Sequence, residues 1–217
     1  MIKRFSNSAL WIIGLNVIIF LATAVLFFIK PGIAPYLAFS PNNLLHGMYI
    51  WTLVTSMFIH ANLGHLVVNM LSLVFLGSFV ERLIGSKRFL AIYFISGIMG
   101  CLVFALFALS PFNKIPGLGI SMETMAVGAS GAIFGLAGML AVLTPKLPVY
   151  IMFIPIEMPL WIGVSLMMLL FTILTAIAKL PIGNAAHLGG LLAGIAYALY
   201  LRHKHKRKAR IISNFYR

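Results

Sequence analysis

Three observations predict an all-α, polytopic membrane protein: a bundle of six transmembrane helices with both termini cytoplasmic. The first is composition. The 217 residues are 62% hydrophobic and 9% charged, with a mean hydropathy of +1.06. A soluble domain is about 45–50% apolar and about 25% charged, so this chain lacks the charge to coat a water-facing surface. The second is segmentation, because charge-free stretches recur at the roughly 20-residue length that crosses a bilayer. The third is charge placement. In the six-span arrangement thirteen Lys and Arg fall on the inner side and three, Lys30, Lys114 and Lys179, on the outer. That asymmetry is a positive-inside pattern.

The spans follow in order. The first occupies about 9–29; its apolar run exceeds a signal-peptide core, and no clear small-x-small cleavage site follows. Residues 31–60 hold Pro31, Pro35, Pro41, Asn42, Asn43 and Gly47, and read as a long loop with apolar, membrane-dipping pieces. The second span lies at 62–81 and the third at 89–109, with a loop at 110–127. The remaining three fall at 128–144, 158–178 and 184–201. Residues 202–217 form a basic cytoplasmic tail, RHKHKRKAR at its start. Directly after a span such a tail anchors to anionic headgroups rather than to nucleic acid. No soluble domain or internal repeat is visible, so residues 1–217 read as one membrane domain in a multi-pass protein of the cell membrane.

The inventory of chemistry is short. The acidic residues are Glu81, Glu123 and Glu157, and Asp is absent. That excludes a dual-Asp protease, an EF-hand and a Ser-His-Asp triad. There is no HExxH zinc helix. The single Cys101 excludes an intramolecular disulfide and a Cys-pair zinc site, and reads as a small buried hydrophobe.

Polar groups inside a span are costly and invite a functional reading. The three spans that start from the outside each carry one near that start. Ser130 lies 16 positions before Lys146, His187 15 before Arg202, and His65 16 before Glu81. At 1.5 Å per residue these are depths of about 24, 22 and 24 Å from the inner boundary. The three side chains thus share one level, below the outer surface of a core about 30 Å thick. Asn69 is one turn deeper than His65 on the same face. The fourth span is short, so its N-terminus starts inside the membrane, where free N–H groups are tolerated only around a cavity. A helix N-terminus there favours developing negative charge. Gly131-xxx-Gly135 and Gly190-xxx-Gly194 are small-residue faces that bring the fourth and sixth helices together, and Phe134 lies one turn below Ser130.

On these residues the sequence resembles the rhomboid family of intramembrane serine proteases. GASGAIFG at 128–135 is similar to its Gly-x-Ser-Gly motif. NAAHLGGLLAG at 184–194 is similar to its histidine motif, and HANLGHLVVN at 60–69 to its His-x-x-x-x-His-x-x-x-Asn pattern. Gly77-xxx-Glu81-xxx-Gly85 matches a fourth feature, near the cytoplasmic end. The resemblance implies a Ser130–His187 dyad, with Ser130 as nucleophile and His187 as general base. It implies an oxyanion hole from His65, Asn69 and the Ser130 backbone N–H. Phe134, Gly128, Gly131, Asn184 and His60 are supporting positions, and Glu81 is structural. It implies transmembrane proteins as substrates, the lipid bilayer as surroundings, substrate entry past the fifth helix and the 179–186 cap, and no metal or cofactor. Two departures stand out. The loop reads Met48-Tyr49-Ile50-Trp51-Thr52 where the family often has Trp-Arg, and Phe134 stands where some members have Tyr. The alternatives are a catalytically inactive rhomboid-like binder of membrane helices, and a transporter or metal protein using His60, His65 and His187. The sequence leaves the oligomeric state open.

Overall fold

The computed structural model describes residues 7–114, 120–151, 154–178, 180 and 182–215. Lys3, Arg4, Lys179 and Arg217, used above in the charge count, lie outside the described residues. Five helices are long and apolar enough to cross a membrane: α1 Ser8–Ile29, α2 Leu63–Ile84, α3 Ser86–Leu109, α5 Leu160–Ala178 and α6 Asn184–Lys204. Between the third and fourth of these sits α4, Ser130–Leu143, an apolar helix of only 14 residues.

α4 is the axis of the bundle. Eleven of its residues are buried, and α3 and α6 flank it. Large apolar side chains instead coat the periphery: Trp11 is 78% exposed, Phe28 88% and Ile177 78%. Such a surface suits hydrocarbon as solvent. The α4–α6 contact is backbone against backbone. A Cβ added at Gly190 would collide with the Gly131 carbonyl, and one at Gly194 with the Gly135 carbonyl. Ser96 of α3 fills the third side, against Gly135.

α2 holds a π-turn at Leu73–Gly77 and ends at Gly85, whose φ of +83° is open to glycine. Just before that end, Glu81 accepts from the backbone N–H groups of Ser8 and Ala9, at 2.9 Å each, and from Ser86 Oγ at 2.8 Å. One carboxylate thereby satisfies the start of α1 and the start of α3.

The loop before α2 is ordered by short helical turns and aromatic contacts. Trp51 Nε1 donates to the Tyr36 carbonyl at 2.9 Å, and Tyr49 sits between the rings of Tyr36 and Trp51 at 4.7 and 5.4 Å. These rings anchor the segment where the expected Arg is missing. A bridge between Phe39 and Ala126 ties this loop to the 110–127 loop, and Ser40 Oγ and the Asn42 N–H both donate to the Met122 carbonyl, at 3.2 and 3.0 Å.

Among the described residues the all-α expectation gives way to paired strands between α4 and α5. β1, Pro148–Ile151, and β2, Ile154–Pro159, form an antiparallel hairpin. The reason is local. Pro145, Pro148, Pro155 and Pro159 interrupt any helix, and Val149, Tyr150, Ile151, Ile154 and Ile156 favour strands. The fifth helix therefore begins at Leu160 rather than 158. α2 extends to Ile84 and α6 to Lys204, each three residues beyond expectation. The basic C-terminal segment is also helical, as α7, Lys206–Phe215.

Candidate active site

α4 begins at Ser130 itself. A helix leaves its first N–H groups without intrahelical partners, so Ser130 carries its hydroxyl beside free backbone donors. The approach of α6 then sets what faces it. His187 lies in the first turn of α6 and is 4% exposed. Its Nε2 is 2.7 Å from Ser130 Oγ. These two atoms come from residues 57 positions apart, and the glycine faces of α4 and α6 make the contact possible.

His187 Nδ1 is buried and has no hydrogen-bond partner among the described residues. The ring is held by packing instead. Phe134 stacks on it at 4.5 Å and 21°, and Phe171 of α5 lies 5.7 Å away. Asn184 secures the same end of α6: its Nδ2 donates to Thr175 Oγ1 at 3.0 Å and to the Phe171 carbonyl at 3.3 Å, both on α5.

α2 supplies the other side. Its N-cap Asn62 accepts from the His65 backbone N–H at 2.8 Å, which fixes the first turn that presents His65. His60 is 3% exposed in the preceding loop and its ring lies 5.0 Å from that of His65, edge to face. Gly128 has φ +114°, and a Cβ there would stand 2.6 Å from His65 Cε1 and 3.5 Å from Asn69 Nδ2. Glycine is required on both counts, conformation and space. The Gly128 N–H donates to the Ser56 carbonyl at 2.8 Å, pinning the turn that enters α4. Asn69 is 4% exposed, and its Nδ2 has no hydrogen-bond partner among the described residues. A buried amide left unpaired is costly, so its position beside Ser130's helix start is a chemical feature.

Below Ser130 an apolar cleft of about 900 Å³ runs between α2 and α5. Asn69, Ser130 and Phe134 form its head, and Leu71 and Phe75 of α2 face Val164 and Met167 of α5 across it. Pro148, Val149 and Tyr150 of the hairpin form its foot. Among the described residues no three His, Cys or Glu side chains converge as metal ligands would.

Every sequence-derived candidate thus lies at one end of the bundle. Ser130, His187 and Phe134 are in direct contact; Gly128, His65, Asn69 and His60 form an adjoining group. Gly131 acts one layer behind, its carbonyl against Gly190. Phe171 and Thr175 went unrecognised in the sequence. An aromatic or a Thr inside an apolar span carries no periodic signal, and their relevance comes only from the placement of α5.

A short, buried central helix with Ser130 at its head and His187 of the adjoining α6 against it belongs to a recognisable class of polytopic membrane protein. The Rhomboid domain matches residues 48–204. The chain is similar to the RHOMBOID-like protein 6, mitochondrial, of Arabidopsis thaliana, at 34% identity over 74% of this chain and 46% of that protein. It is similar to the Rhomboid protease GluP of Bacillus subtilis, at 35% identity over 74% of this chain and 28% of that protein. It is also 34% identical to the Inactive RHOMBOID-like protein 8 of Arabidopsis thaliana, over 66% of this chain and 36% of that protein. The chain spans less than half the length of these relatives. It belongs to the rhomboid family and is a multi-pass integral membrane protein.

Proposed function

We propose that this chain is an intramembrane serine endopeptidase that hydrolyses peptide bonds in or near the transmembrane segments of membrane proteins. The observation that carries the reading is the 2.7 Å approach of His187 Nε2 to Ser130 Oγ at the head of an apolar cleft. In this reading His187 accepts the Ser130 proton as the hydroxyl attacks the scissile carbonyl, then donates it to the leaving amine. Water attacks the acyl-enzyme by the same exchange. The Ser130 backbone N–H, Asn69 Nδ2 and His65 are the donors for the tetrahedral oxyanion. Stacking on Phe134 orients His187 in place of a third, acidic residue. The substrate segment enters between α2 and α5 and presents an extended backbone, so helix-breaking residues near the cut favour cleavage.

The reading includes six spans, with α4 counted as one, and both termini in the cytoplasm of a cell membrane. It treats residues 1–217 as one membrane domain. The cleft head then faces the outer leaflet and the hairpin faces inward. α4, at about 20 Å, need not cross the full core, because α3 and α6 enclose it.

The test uses purified protein in liposomes with a tagged single-span substrate, comparing wild type, Ser130→Ala and His187→Ala with and without a chelator. Cleavage by wild type, lost in both variants and indifferent to chelator, is the expected result. Undiminished cleavage by Ser130→Ala overturns the reading. If wild type does not cleave, a fluorophosphonate probe decides: labelling of Ser130 retains the serine hydrolase, and no labelling points to a non-catalytic member.

A further inference from the structure

The three carboxylates of this +13 chain have different surroundings. Glu81 holds the starts of α1 and α3. Glu123 lies in the 110–127 loop, at the same end of the bundle as Ser130. Glu157 is exposed on β2 of the hairpin, where Tyr150 Oη donates to its Oε2 at 3.1 Å. Tyr150 itself lines the foot of the cleft whose head is Ser130. A single anionic group is thus held at the far end of an apolar groove, opposite the dyad, in a protein otherwise rich in cations.

We propose that Glu157, oriented by Tyr150, recognises a Lys or Arg at the inner end of a substrate's transmembrane segment. The inference rests on the protease reading above and deepens it, by giving the cleft a specificity determinant remote from the cut. The partner's chemistry follows from the membrane. Transmembrane segments carry their excess of Lys and Arg at the cytoplasmic boundary, and the hairpin lies at that boundary. Long cationic side chains extend along apolar surface to bring their charge to the interface.

The geometry also sets a spacing. The 14 residues of α4 separate head from foot by about 20 Å. A substrate helix covers that distance in about 13 residues. Extended residues around the scissile bond, at about 3.3 Å each, lower the count. The cation therefore belongs roughly 10–14 residues from the cut, on its cytoplasmic side.

The experiment uses the full chain in liposomes of zwitterionic lipid. One single-span substrate is prepared with Arg, Ala or Glu placed 6, 12 or 18 residues inward of the cut. Wild type, Glu157→Gln and Glu157→Lys are compared by the kcat/KM ratio of the Arg to the Glu substrate, so that any general loss of activity in a variant cancels. Wild type is expected to favour Arg over Glu about two- to fivefold at position 12, the size of an exposed ion pair, and less at 6 and 18. Glu157→Gln is expected to abolish the preference and Glu157→Lys to invert it. A preference unchanged in Glu157→Lys, or equal at all three positions, overturns the proposal. A water-soluble reporter peptide ending before the foot isolates the underlying reading. If Ser130→Ala cuts it, or if wild type neither cuts it nor takes a fluorophosphonate label at Ser130, the protease assignment fails first and this inference falls with it. If the peptide is cut only with Ser130 present and the charge ratio does not respond to Glu157, this inference alone fails.

Discussion

The two sides of the α4 helix are built differently. Toward α6 the contact is glycine on glycine, with no side chain between the backbones at Gly131–Gly190 or Gly135–Gly194. Toward α2 and α5 there is an apolar cleft, bordered by side chains such as Leu71, Phe75, Val164 and Met167. In their apolar stretches 44% of α6 residues are buried but only 11% of α5 residues. On the proposed reading the difference assigns the tasks. A Ser–His contact that must hold to within a fraction of an ångström sits on the rigid seam, because misplacement by about 1 Å can cost 10²-fold in rate. The groove proposed to admit a substrate segment sits on the side where rotamers, not backbones, define the shape.

The sharpest way to break the comparison is to wedge the seam. Gly190→Val is expected to push α6 off the Gly131 carbonyl, lowering cleavage by more than about 10²-fold and stability by about 1–3 kcal/mol. Activity assays alongside thermal unfolding in detergent measure both. Retention of full activity would show that α4 and α6 tolerate separation.

Next in size are changes at the proposed oxyanion donors, which leave the seam alone. Asn69→Ala is expected to reduce kcat about 10²–10³-fold, the usual cost of one oxyanion donor, with little change in fluorophosphonate labelling of Ser130. Because Asn69 Nδ2 has no partner among the described residues, stability should hold or rise. A large loss of thermal stability would mark Asn69 as structural instead.

Phe134→Leu removes the ring that stacks on His187 but keeps the volume apolar. An aromatic pair contributes about 0.5–1.5 kcal/mol beyond its area, so a roughly two- to tenfold fall in kcat/KM is expected. An unchanged rate would show that Asn184 and the α6 backbone position His187 unaided.

The smallest effect belongs to the cleft wall. Met167→Ala is expected to change kcat/KM by about threefold or less for a long transmembrane substrate, since Met adapts readily to its neighbours. Cleavage of a short soluble peptide should be unaltered. A change as large as that of Gly190→Val would mean that α5 belongs to the rigid half.

The chain's amino acids by themselves determined its solvent and its family. A composition with 9% charge cannot cover a water-facing surface, and the span edges fell within about three residues of the helices observed, because apolar runs and boundary charges are local signals. The residues with candidate chemistry were legible for a similar reason: Ser, His and Asn are conspicuous inside hydrocarbon. What escaped was whatever depends on partners distant along the chain. The hairpin at Pro148–Pro159 lies where the sequence shows only the gap between the fourth and fifth spans and the start of the fifth, since its strands are short and one register shift interrupts them. The aromatic anchoring of Tyr36, Tyr49 and Trp51, the place of Phe171 beside His187, and the steric demand of His65 on Gly128 have no sequence signature. Only the tertiary structure decided them, because each is a distance between segments, and such distances are set by how helices pack rather than by what any one segment prefers.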